Sequence, residues 1–404
     1  MHLGAASAVL DRRLRAESPR PLAVAFSGGG DSLALLLIAE AWAKAAGRDL
    51  IVLTVDHGLQ PLSRAWTEAC AATAARLGRP FQALHWTGEK PTAGLSAAAR
   101  TARHALLADA ARAAGAGVIL MGHTADDVLE ARLMRTHGAT TPEPREWGPS
   151  PAWPEGRGVF LLRPLLEVRR ADIRDGLTAR GETWIDDPAN ESVLSARARA
   201  RREIAMGAAP PEPAAETVTA RDLALACETD ASGGFRIARA ALRSAAPGAL
   251  ARFLAVACLC AAGTDRPPAG PRLQRLAERL AGGEGFTASL AGARIEAAED
   301  AVRILREAGE AARGGLAPLQ LSAGQTDVWD GRFEITAAEA MEVRAATGLR
   351  PRLSDADQRT LATLPARARD VMPVDAAGPA LIAAQALTLD RLLAACGAVE
   401  REPP

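Results

Sequence analysis

Ser27-Gly28-Gly29-Gly30-Asp31-Ser32 is the stretch that decides the fold. It follows a short apolar run at 21–26 and precedes a leucine-rich amphipathic run at 33–46. That order predicts strand, tight glycine loop, helix. Glycines let backbone N–H groups close on an anion, and the start of the following helix adds a favourable dipole. No Gly-Lys-Ser/Thr follows, so this is not a Walker A loop, and the Gly-x-Gly-x-x-Gly of a dinucleotide fold is missing too. What remains is a loop suited to a pyrophosphate group, with an acid and two hydroxyls set into it. The serine hydroxyls are placed to donate to phosphate oxygens. Bare phosphate would repel Asp31, which leaves it to orient the loop, hold Mg²⁺ or meet a substrate amine.

Outward from the loop, residues 21 to about 203 alternate strand-like and helix-like segments. The strands are read at 22–26, 50–55, 81–86, 118–121 and 160–162, and the helices at 33–46, 62–77, 95–114 and 125–135. This predicts an α/β fold, a doubly wound and mainly parallel sheet whose ligands bind at the carboxyl ends of the strands. A proline-rich break at 208–213 ends the first domain, expected at 1–207. The remainder, 208–404, reads as an α+β region with a further joint at 267–271. It carries helical stretches at 214–228 and 237–262, then a small antiparallel meander at 286–306. Residues 147–158, rich in Trp and Pro, read as a surface segment.

Composition bounds the rest. There are 48 basic and 48 acidic residues, so any nucleic-acid surface must be local rather than global. Lysine occurs only at Lys44 and Lys90, and every other basic residue is arginine. The five cysteines, Cys70, Cys227, Cys258, Cys260 and Cys396, form no Cys-x-x-Cys, and four lie in apolar runs. They read as free thiols of a reducing compartment. No signal-peptide order or spanning apolar run is present, which predicts a cytoplasmic protein without a membrane.

Three further blocks follow strands or lie on the helices between them. Val55-Asp56-His57-Gly58-Leu59 closes the second strand. Asp56 there could cap the next helix or contact a nucleotide. Ala99-Arg100-Thr101-Ala102-Arg103-His104 places Arg100 and Arg103 on one helical face. A solvated face is the ordinary reading of such a pair. Gly122-His123-Thr124-Ala125-Asp126-Asp127-Val128-Leu129-Glu130 follows the fourth strand. Helix capping accounts for Asp126 and Asp127, but not for Glu130, whose spacing gathers carboxylates on one face. Finally, Arg197, Arg199, Arg201 and Arg202 form the one dense basic cluster.

Together and in this order, these blocks resemble the tRNA(Ile)-lysidine synthetases, within the PP-loop ATP pyrophosphatase superfamily. The likeness covers residues 21 to about 202 strongly and the second half weakly, where 290–295 and 329–333 carry it. It departs from the family at Gln60, Ser96, His104, Thr124, Val128, Ala131 and Ala198, and in the glycine-poor loop 137–144. Residues 162–166 and 186–190 resemble the family's next block.

The resemblance implies the adenine nucleotide alpha hydrolase type of fold and a two-step ligation of free L-lysine onto the wobble cytidine of a CAU-anticodon isoleucine tRNA. ATP and Mg²⁺ would be the cofactors. Ser27, Gly28, Gly29, Gly30, Asp31, Ser32, Asp56, His57, Arg100, Arg103 and His123 would contact ATP. Asp127 and Glu130 would bind lysine and, with Asp31, act in catalysis. Arg197, Arg199 and Arg201 would meet substrate phosphate. Asp31 and Asp126 are the metal candidates, and a homodimer is left open. The second half would bind tRNA. A PP-loop tRNA thiolase is the nearest rival, but such relatives usually need cysteine pairs that this chain lacks. A non-catalytic ATP-binding regulator would not need the acid cluster, and a small-molecule adenylating amide ligase accounts poorly for the basic cluster and the large second half.

Overall fold

A computed structural model describes residues 3–138, 143–186, 196–207, 219–312 and 315–404. Most of the stretch 186–190, the proline-rich break at 208–213 and the middle of the altered loop, 139–142, lie outside them. The chain divides into two compact units, Met1–Ala214 together with Val399–Pro404, and Ala215–Ala398.

The first unit is built on a six-stranded sheet in the order β3-β2-β1-β4-β6-β5. Its strands are β1 (Leu22–Ala25), β2 (Leu50–Asp56), β3 (Phe81–His85), β4 (Val118–Met121), β5 (Trp147–Pro149) and β6 (Phe160–Leu162). All pairings are parallel except β5 with β6. β1 and β4 are buried along nearly their whole length, as uninterrupted apolar runs in a two-sided parallel sheet should be. β1 lies between β2 and β4, so the chain reverses its direction of travel across the sheet beside β1. Such a switch opens a crevice above the carboxyl ends of β1 and β4.

The helices are α1 (Leu3–Arg13), α2 (Gly30–Ala46), α3 (Ser63–Arg76), α4 (Leu95–Ala113), α5 (Ala125–Thr136), α6 (Arg170–Thr178) and α7 (Ala196–Ala205). α2 buries Leu33, Leu35, Leu36, Ile38 and Ala39 against the sheet and stops at Gly47, whose φ of 68° suits glycine. α1 was not anticipated from the sequence; it buries Val9 and Leu10 in the same core. Residues 147–158 are also more than surface: Trp147 starts β5 and stacks on Phe160 at 4.8 Å.

The second unit opens with α8 (Ala220–Leu225) and a five-stranded antiparallel sheet in the order β7-β8-β11-β10-β9. Those strands are β7 (Glu228–Thr229), β8 (Phe235–Ala238), β9 (Phe286–Leu290), β10 (Ala293–Ala297) and β11 (Ala301–Arg306). The stretch 237–262, expected as one helix, is β8, then α9 (Arg239–Ser244), then α10 (Pro247–Ala262). Pro247 cannot continue a helix but can begin one, which explains the break. α11 (Gly270–Ala281) follows, and the expected meander at 286–306 is present as β9-β10-β11. A second core gathers around Trp329, Phe333 and Val374, under two smaller antiparallel sheets.

Candidate active site

The chain leaves β1 through Ser27–Gly29 into α2. Gly28 has φ +82°, and a side chain there would overlap Ile185 Cδ1. The Gly28 carbonyl accepts the Ile185 N–H at 2.9 Å, so residue 185 is laid across the loop. Inside the loop the Ser32 hydroxyl donates to the Gly29 carbonyl at 2.9 Å and lies 3.1 Å from the Ser27 hydroxyl. Gly29 caps α2 with no side chain, which leaves the N–H groups of the first turn for an anion. The loop after β4 lies close by: a side chain at Gly122 would meet the Ser32 backbone at 3.1 Å.

That loop leads into α5. Asp127 accepts the Thr124 backbone N–H at 2.8 Å and the Thr124 hydroxyl at 3.0 Å, so it does cap the helix. It also faces Arg170 at 3.4 Å and Arg197 at 3.7 Å. Burial opposes its charge, but the Thr124 N–H, Arg197 and Arg170 hold its carboxyl below the usual range. Glu130, 1 % exposed, meets Arg201 at 2.6 Å, Arg170 at 3.2 Å and Arg197 at 3.3 Å. Asp126 is engaged at both oxygens, by Arg169 at 2.9 Å and by the backbone N–H of Arg170 at 2.7 Å. Asp31 reaches the same place from α2, with Oδ2 2.9 Å from Arg170 Nε. Burial raises its pKa against that pull.

A second group of cations has no such counter-charge. Arg100 and Arg103 come from α4 and Arg163 from the end of β6. None of the three forms an ion pair among the described residues, and Arg103 Nε is buried with no hydrogen-bond partner there. Burial, with the neighbouring arginines, pushes Arg103 and Arg163 down to about 10. The same causes push His123 to about 3, so it is neutral, and its Nδ1 accepts from Arg163 Nε at 3.2 Å. A surplus of buried positive charge beside paired carboxylates is a site prepared for an anion.

The geometry places the residues of the basic and β2 blocks as follows. On α7, Arg197 and Arg201 are one turn apart and face Glu130, whereas Arg199 lies on the exposed side. Asp56 caps no helix. It accepts the Gly58 N–H at 2.8 Å and shapes the turn after β2, while His57 sets its ring edge-on to Trp86 at 6.0 Å.

A family described as a PP-loop domain matches residues 6–207. A tRNA(Ile)-lysidine synthase from Caulobacter vibrioides is 51 % identical over 92 % of this chain and 87 % of that one. The chain belongs to the tRNA(Ile)-lysidine synthase family. A lysidine synthase from Hyphomonas neptunium is 36 % identical over 80 % of this chain and 90 % of that one. Among solved structures, a U34-tRNA thiolase from Methanococcus maripaludis matches 49 % of this chain and 70 % of its own, at 17 % identity and a TM-score of 0.41.

For a lysidine synthase domain that uses ATP, the loop and the unpaired arginines fit a polyphosphate. Mg²⁺ usually takes one or two protein carboxylates and completes its shell from phosphate and water. Asp31 fits, because among the described residues it accepts a hydrogen bond at Oδ2 alone. Asp126, engaged at both oxygens, fits poorly. No three His, Cys, Asp or Glu side chains converge as metal ligands among the described residues. No described helix is long and apolar enough to cross a membrane.

Sequence reasoning missed Arg170 and the pair Trp184-Ile185, and gave no role to Arg163, which lies in the stretch 162–166. Arg169-Arg170 did carry a signal. Two arginines at the start of a helix oppose its dipole, a placement that calls for nearby acids.

Proposed function

We propose that this chain joins free lysine to the wobble cytidine of the isoleucine tRNA with a CAU anticodon, changing its codon from AUG to AUA. The carbonyl oxygen at ring position 2 attacks the α-phosphate of ATP. The α–β bridging bond breaks and pyrophosphate leaves. The neutral ε-amine of lysine then attacks the adenylated ring carbon, the carbon–oxygen bond breaks, AMP leaves, and the nitrogen gives up a proton.

The observation that carries this reading is the joining of two charge systems in one crevice. Ser27, Ser32 and the first-turn N–H groups of α2 bind phosphate, while Asp127 and Glu130 present buried carboxylates to an amine. Mg²⁺ held by Asp31 would neutralise charge on the phosphates. Arg100, Arg103 and Arg163 face the developing negative charge, and the same surplus of cations lowers the pKa of a nearby ammonium, favouring the neutral nucleophile. His57 and His123 stay neutral and line the nucleotide pocket. Arg197 and Arg201 hold Glu130 in place. The unit Ala215–Ala398 binds the tRNA body, and the reaction runs in the cytoplasm.

The test is direct. The protein is incubated with ATP, radiolabelled lysine and a transcript of the CAU isoleucine tRNA. Label is expected in the tRNA, with one pyrophosphate released per lysine joined. Pyrophosphate release with no label in the tRNA would rule the ligation out.

A further inference from the structure

Among the described residues, Arg170 is the one side chain that touches both halves of the site. Its Nε meets Asp31 Oδ2 at 2.9 Å, on the first turn of α2, the helix that follows the phosphate loop. Its Nη1 lies 3.2 Å from Glu130 Oε1 and its Nη2 3.4 Å from Asp127 Oδ2, on α5. Its backbone N–H is fixed by Asp126 at 2.7 Å. The guanidinium fork therefore spans three carboxylates from two elements, while its own backbone is anchored. The side chain can leave without moving the helix.

The charges around it balance. Asp31, Asp126, Asp127 and Glu130 face Arg169, Arg170, Arg197 and Arg201. An ammonium added to this set has no free counter-charge. Yet Glu130 Oε2 is buried and accepts no hydrogen bond among the described residues, although Arg197 Nε is 3.3 Å away. The carboxylate is thus aimed at a donor that Arg170 and its neighbours do not fully supply. A triphosphate on the adjoining loop changes the balance. It brings several negative charges beside Asp31, and a phosphate offers an arginine a bidentate partner at least as good as a carboxylate.

We propose that Arg170 is a positioning residue that couples the two substrate sites: it stands in for the lysine ammonium on Asp127 and Glu130, and nucleotide phosphate draws it away. Lysine then binds in preference to the nucleotide-loaded enzyme. The amine is admitted only when there is ATP to activate its acceptor. This rests on the assignment of ATP and lysine to the site made above.

Lysine binding to the full chain is measured by calorimetry with and without α,β-methylene ATP. In the wild type the analogue should tighten lysine binding roughly 5–150-fold. Arg170→Met should bind lysine without nucleotide at least as well as the wild type, and its coupling factor should fall towards one. Arg170→Lys keeps a cation but cannot span three carboxylates, so its factor should lie between the two. A merely structural role would weaken both ligands and leave the factor unchanged. The wild-type factor in a folded Arg170→Met or Arg170→Lys protein overturns the proposal, as does equal lysine affinity with and without analogue in the wild type. Failure of the wild type to bind lysine under any condition would instead strike at the assignment of lysine to the site.

Discussion

Glu130 is buried to 1 % exposure with three arginines on it, and a carboxylate so placed has no reason to exist for stability alone. A well-packed apolar residue would usually serve as well or better. Its removal should therefore separate the two chemical steps. Glu130→Gln keeps the shape and loses the charge that grips the amine. Pyrophosphate release from ATP in the presence of tRNA should persist, while lysine incorporation falls at least roughly a hundredfold, the loss expected of about 3 kcal/mol of charge-assisted hydrogen bonding. Equal losses in both assays would place Glu130 in adenylation instead. Asp127 and Glu130 were legible in the sequence because helical spacing alone puts them on one face. Arg170 was not, because 139 residues separate it from Asp31, and only the sheet order brings the start of α6 over β1 and β4.

At the scale of elements, the turn between β1 and α2 concentrates the structural demands. Gly28 adopts φ +82° and receives the Ile185 side chain where its own would be. Gly28→Ala combines a strained backbone with a clash, costing on the order of 1–3 kcal/mol. The ATP-binding affinity, measured by equilibrium titration, should fall more than the melting temperature suggests, because Ile185 and the loop must both shift. Gly30→Ala is the control: a side chain there meets Trp184 no closer than 3.5 Å, an ordinary contact.

The neighbouring helix α4 makes a pH prediction. His104 is 4 % exposed, and burial, with Arg103 and Arg100 beside it, pushes its pKa down to about 2. An unfolded histidine titrates near about 6.5. The folded value is the lower one, so the unfolded chain takes up this proton first as pH falls. The contribution of His104 is present in full above about 6.5 and is lost on acidification at on the order of 1 kcal/mol per pH unit. Denaturation midpoints at pH 7.5 and pH 5.5 should differ less in His104→Leu than in the wild type. Identical differences would show that His104 is protonated when folded. The sequence marked position 104 only as a departure from its relatives; its burial depends on how α4 seats on the sheet, which no local pattern records.

Over the whole molecule, the chain leaves the first unit after residue 214 and re-enters it at Val399. Nothing local in Val399–Pro404 announces this return, since one valine, three charged residues and two prolines carry no periodicity. What ties the segment down is a buried ion pair. Glu402 meets Arg48 at 2.7 and 2.9 Å, with both side chains 1 % exposed, and also accepts the Arg15 backbone N–H at 2.9 Å. Trp147 Nε1 donates to the Val399 carbonyl at 2.8 Å. Arg48 follows the glycine that ends α2, so the tail holds the far end of the helix whose first turn faces the phosphates.

Glu402→Gln leaves the Arg48 guanidinium buried without a counter-charge, and breaking such a pair costs about 3–5 kcal/mol. The change is confined to the first unit, which holds six of the seven tryptophans; Trp329 alone lies in the second. Bulk tryptophan fluorescence should therefore report an earlier unfolding transition in Glu402→Gln. Below that transition, KM for ATP should be unchanged, because α2 has 17 residues and its two ends are separated by roughly 25 Å. An altered KM with unaltered stability would mean that the tail acts on the phosphate loop itself rather than on the fold that carries it.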